Sequence, residues 1–127
     1  MVDEQEENRE IRSARTFFQD REHWFLMGIS GLLPLLSFGV LWYSIGNREA
    51  TIVLHYNVYF GIDILGEWWQ AYLIPFVGVG IWCLHVLLAV RFFSVGNRAL
   101  CKITLATLFF LEGMIFVASI AVSLVNY

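Results

Sequence analysis

Two ionisable side chains stand inside long apolar runs of this 127-residue chain, His85 and Glu112. Such groups are costly in hydrocarbon and usually face a partner or a water-filled cavity. His85 lies eight residues before Phe93 and Glu112 nine after Ile103. Both are then roughly 12 to 14 Å from the same end of their helices at 1.5 Å per residue. A His85–Glu112 hydrogen bond is therefore expected. The pair could carry a proton or cation step, or simply act as polar glue between two helices or toward another subunit.

A second set of polar residues occupies residues 51–69, TIVLHYNVYFGIDILGEWW. The even positions Ile52, Leu54, Tyr56, Val58, Phe60, Ile62 and Ile64 are all apolar or aromatic, while the odd ones are mixed. Period two is the alternation of a strand with one face buried, and branched and aromatic residues fit extended backbone. The polar face carries His55, Asn57 and Asp63, with Glu67 beyond. Alternate strand residues sit about 6.5 Å apart, too spread for one compact metal site without a fold-back. These residues are expected instead to recognise a ligand, with Tyr59, Trp68 and Trp69 supplying contact area; the alternative is a cap whose polar face meets water.

The elements that must hold these residues are written in the hydropathy. The chain is 58% apolar and 15% charged, where a soluble domain carries about a quarter charged residues. Residues 24–45, 72–93 and 103–125 are apolar runs carrying only Arg91 and Glu112 as formal charges. A helix of 22 residues is about 33 Å long, enough to cross a hydrocarbon core of about 30 Å. The expected fold is an all-α membrane protein: a three-helix transmembrane bundle with a short amphipathic, β-like extracytoplasmic cap over residues 46–71. Residues 1–23 form a charged, amphipathic cytosolic segment, with Ile11, Ala14, Phe18 and Phe25 near one face of a surface helix, and residues 24–127 the membrane domain.

Arg9, Arg12, Arg15 and Arg21 precede the first run, and Arg91, Arg98 and Lys102 surround the turn between the second and third. Only Arg48 lies between the first and second. The positive-inside rule then places the N-terminus in the cytosol and the C-terminus outside. The stretch FSVGNRALCK can bridge only adjacent helix ends, so the second and third helices are antiparallel neighbours. Gly28, Gly31, Gly39, Gly78 and Gly80 allow close helix approach, and Pro34 frees a backbone carbonyl. Cys83 and Cys101 lie within the second run and at the inner surface, where a disulfide is not expected. No GxSxG, HExxH, phosphate loop or CxxC pair occurs, and there is no basic surface for nucleic acid. Neither a cofactor nor a metal is expected.

At LHYNVYFGIDILGEWW the sequence resembles known proteins. His55-Tyr56-Asn57, followed by Gly61, Asp63 and Gly66, is similar to the "H-aromatic-N … G … D … G" signature of a family of small bacterial membrane proteins. That family carries a domain of unknown function and includes immunity proteins that protect cells from their own secreted killing peptide. The spacing from Asn57 to Gly61 differs from the family's, and the proline usually found before the histidine is missing. Nearly this same string is carried by uncharacterised three-span bacterial proteins. The resemblance covers some 15 of 127 residues and implies a bacterial inner membrane and an external binding role.

The expected function is therefore non-enzymatic: an envelope protein, surrounded by membrane lipids, whose outer cap binds a peptide, lipid, protein partner or second copy of the chain. Two other readings stand beside it, a proton- or cation-linked transport subunit using His85 and Glu112, and a purely structural subunit.

Overall fold

The computed structural model describes residue 8, residues 16–46 and residues 51–127, without the side chain at position 63. Three long helices carry the fold: α1 Arg21–Ser44, α2 Leu73–Ser94 and α3 Arg98–Val125. With a single 3-10 turn at Trp68–Tyr72 leading into α2, all three are long and apolar enough to cross a membrane. Between α1 and that turn, β1 Thr51–Asn57 pairs antiparallel with β2 Gly61–Glu67.

Each helix starts and stops where local chemistry dictates. Asp20 caps α1, its Oδ1 accepting from the Glu22 amide at 3.1 Å. Such a cap satisfies one of the amides a helix start leaves open, and the acid complements the helix dipole. Asn97 does the same for α3, accepting from the Leu100 amide at 3.1 Å. The connection between α2 and α3 is only Val95–Gly96–Asn97, with Gly96 at φ 80°, a left-handed conformation that a Cβ would resist. The antiparallel pairing of α2 and α3 follows from so short a turn. It also differs from expectation: residues 98–102, read as linker, are the first turn of α3. The apolar run starts at Ile103, but Arg98 and Lys102 sit at a helix end where long cationic side chains reach solvent.

The helix α3 is central, packing extensively on both α1 and α2, which touch each other less. On α1 the buried residues are His23, Met27, Ser30, Pro34, Ser37, Leu41 and Ser44. They alternate steps of four and three, the seam of a left-handed helix pair. Two apolar clusters result among the described residues. Phe17, Met27, Ala89, Cys101 and Leu105 fill the end near Gly96. Leu41, Ile45, Ile52, Ala71 and Val122 fill the hairpin end. Between them the α1 seam is Ser30, Pro34 and Ser37, facing a level of α3 that holds Glu112.

Outward-facing Leu35, Trp42, Phe76, Leu87, Phe110 and Val117 are each more than 60% exposed. So much apolar surface on three helices is what a hydrocarbon solvent demands and water would not tolerate. Of the amphipathic N-terminal face, Ile11 and Ala14 lie outside the described residues. Phe18 and Phe25 are exposed, and the neighbouring Phe17 is the buried aromatic. The seam selects it because residues 16–19 precede the Asp20 cap and turn Phe17 onto His23 and Phe93.

Candidate functional site

The polar stretch of residues 51–67 is a hairpin, folded at Val58–Phe60. Asn57 makes that fold: its Oδ1 accepts from the Tyr59 amide at 2.9 Å, a local turn typical of asparagine. Thr51 pairs Glu67, Ile52 pairs Gly66 and Tyr56 pairs Ile62, with an irregularity at His55. Folding back divides the apolar even face. Ile52 is buried against the helix ends, whereas Tyr56, Ile62 and Ile64 are half exposed. A single strand lying flat would have buried all of them; the hairpin stands up and buries only its base.

Asn126 fixes the base. Just beyond the end of α3, its side-chain oxygen accepts from the Val53 amide at 2.8 Å and its nitrogen donates to the Val53 carbonyl at 2.6 Å. A primary amide has one donor and one acceptor edge, so it pairs with a strand residue as another strand would. The Tyr72 hydroxyl donates to the Gly46 carbonyl at 3.3 Å, joining the start of α2 to the end of α1. Trp68 packs on Tyr72 inside the bundle end, and the exposed Trp69 donates from Nε1 to Glu67 at 3.0 Å. Trp68 is thus partly buried, packed against the bundle end.

Held in this way, β1 roofs a groove of about 510 Å³ over the last turns of α3. Its roof is Val53, Leu54, His55 and Tyr56, and Ala118 and Ala121 form the floor. Ala118, Ala121 and Val125 recur at helical spacing, and the two alanines leave the space that longer side chains would fill. The volume falls in the range of small-molecule sites, about 300 to 1,000 Å³, and the apolar lining with few polar groups at one edge is typical of them.

Of the residues expected to bind, His55 borders the groove. Tyr59 is at the hairpin tip, 90% exposed, and Trp69 is an exposed residue of the 3-10 turn that does not line the groove. The Asp63 side chain lies outside the described residues. Tyr56, Ala118 and Ala121, which the sequence reading passed over, belong to the groove. The alanines were visible as small residues in a helix of large ones, yet only the hairpin's return over them makes a site.

Midway along the bundle, the His85–Glu112 hydrogen bond is not formed. The Nδ1 of His85 lies 2.9 Å from the Ile81 carbonyl on its own helix. Glu112 is fully buried, and neither carboxyl oxygen has a hydrogen-bond partner among the described residues. The reason is register. With α3 starting at Arg98, Glu112 is fourteen residues from its helix start, while His85 is nine from the end of α2 at Ser94. Five residues separate their levels, about 7 Å along the axis. Glu112 instead faces Gly78: a Cβ there would stand 2.9 Å from Oε2 and 3.4 Å from Pro34 Cβ. A methyl group at position 78 would press on the carboxyl and make it shift.

At the Gly96 end, Cys101 Sγ lies 3.8 Å from His23 Nε2, and His23 Nδ1 lies 3.3 Å from the Phe17 carbonyl. A carbonyl only accepts, so Nδ1 is the donor to Phe17, and Nε2 faces the thiol. Phe17 stacks on the ring and Phe93 meets it edge-on. Thiol and imidazole are thus sealed beneath aromatics, an arrangement that closes the bundle end. Among the described residues no group of three or more His, Cys, Asp or Glu is placed to hold a metal.

No protein-family model matches the chain, and no curated protein or solved structure matches it either.

Proposed function

We propose that the protein is a non-enzymatic integral membrane protein whose hairpin-roofed groove holds the acyl chain of a lipid-like amphiphile. The observation that carries this reading is the groove itself: about 510 Å³ lined by apolar side chains, with His55 and Tyr56 along its strand edge. Its floor belongs to the last turns of a helix long and apolar enough to span a bilayer. A chain lying there needs no path through water, and a polar head would emerge beside the hairpin. Basic residues crowd toward the N-terminus and the Gly96 turn, which supports a cytosolic location for that end and an extracytoplasmic one for the hairpin. The resemblance of residues 55–66 to small bacterial membrane proteins supports a bacterial inner membrane. His55 and Tyr56 would then contact the head, and Tyr59 at the tip would touch a protein partner or second copy.

The test is photo-crosslinking in native membranes with a lipid carrying a diazirine in its acyl chain. Adducts are expected on Ala118, Ala121 or Tyr56, and Ala121→Trp, which fills the floor, should remove them while the protein still accumulates. Equal labelling of wild type and Ala121→Trp would sink the proposal. A captured peptide in place of lipid would also overturn it.

A further inference from the structure

The middle of the bundle contains a charge-bearing group with nothing to balance it. Glu112 is fully buried, and both of its oxygens lack a partner among the described residues. Every neighbouring element presents neutral groups at this level. Pro34 of α1, Gly78 of α2 and Ile115 of α3 meet there, and the buried α1 residues on either side of Pro34 are Ser30 and Ser37. On α2, His85 lies about one and a half turns from this level, with its ring nitrogen on the Ile81 carbonyl of its own helix.

The surrounding donors are already engaged. The Ser37 hydroxyl donates to the Leu33 carbonyl at 3.1 Å, and that of Ser119 to the Ile115 carbonyl at 3.0 Å. Ser30 likewise donates to the Leu26 carbonyl. What remains is acceptor capacity. Position 34 is proline and has no amide, so the Ser30 carbonyl receives no bond from the residue four ahead. Serine oxygens keep lone pairs as well. A carboxylate needs donors; a carboxylic acid needs one acceptor for its hydroxyl. Neither oxygen has a donor beside it among the described residues, so the neutral acid is the form that suits this packing.

We propose that Glu112 is an exchangeable proton-binding site enclosed at the waist of the three-helix bundle, formed by Gly78 and the Ser30–Pro34–Ser37 stretch of α1. The bound species is a proton rather than a metal ion. Calcium and magnesium take six or more oxygens, whereas one carboxyl converges here, and no group of three or more His, Cys, Asp or Glu is gathered among the described residues. On uptake hydronium gives its proton to one carboxyl oxygen and becomes water, and on release water takes the proton back. On release the serine hydroxyls are the donors able to turn from their own carbonyls toward the carboxylate. That movement would loosen α1 against α2 at Pro34 and Gly78. This inference is independent of the groove: it needs only the packing of α1, α2 and α3.

Infrared spectroscopy of the full chain in liposomes, with carbon-13 in the glutamate carboxyls, tests it. At neutral pH a carboxylic-acid carbonyl band is expected that shifts on transfer to heavy water and is lost in Glu112→Gln. Absence of the acid band, its indifference to heavy water, or its survival in Glu112→Gln overturns the proposal. Should Glu112→Gln fail to fold, Gly78→Ala replaces it, since its methyl group presses on Oε2. The band should then shift in frequency, and an unchanged band overturns the assignment to Glu112.

Discussion

The hairpin end and the waist of the bundle handle polar groups in opposite ways. At the hairpin end they build the shape: Asn126 serves both backbone groups of Val53, Tyr72 bonds Gly46, and Asn57 closes the turn. At the waist neither oxygen of Glu112 has a hydrogen-bond partner among the described residues. A satisfied polar group of the first kind contributes to stability, and an unsatisfied buried one subtracts from it. The same residue class therefore marks structure at one level and chemistry at another.

This contrast fails if substitutions at the two levels behave alike. The largest effect is expected from Asn126→Ala, which leaves the Val53 amide and carbonyl without their partner. A loss of about 1 to 3 kcal/mol is expected, read as faster hydrogen exchange across residues 51–67 while α1 and α2 stay protected. Uniform exchange changes would mean the hairpin is not held separately. Next comes Glu112→Met, which keeps volume and removes the orphaned carboxyl. It should raise stability in detergent by about 1 to 2 kcal/mol, and a drop of that size would show that Glu112 has a partner. Tyr72→Phe deletes one hydrogen bond and should cost about 0.5 to 1.5 kcal/mol by thermal unfolding; no change there would remove Tyr72 from the hairpin-end framework. The smallest effect belongs to Lys102→Ala. Its ammonium meets Glu22 at 2.8 Å with both side chains largely in solvent, so the melting temperature should not move measurably. A clear drop would place that pair among the groups that build the fold.

Reading residues in order located the helices to within a few positions because hydropathy reports the solvent each segment must face. The start of α3 was missed because Arg98 and Lys102 interrupt the apolar run without interrupting the helix, and the expected His85–Glu112 bond failed with it. Period two identified extended backbone over residues 52–64. It could not locate the fold at Val58–Phe60, since both strands of the hairpin continue the same alternation. Asn57 was visible as polar, but a turn amide and a ligand-binding amide look the same in a string of letters.

The sequence by itself determined three helices long and apolar enough to span a membrane, an extended polar-faced segment between the first two, and a buried acid in the last. Those features depend on neighbours in the chain and on solvent, which composition and period record directly. Tertiary structure alone decided that the extended segment returns as a hairpin, that Ala118 and Ala121 lie beneath it, and that Glu112 meets Gly78 rather than His85. Each depends on the register between elements, which caps and a three-residue turn set and which no single segment encodes.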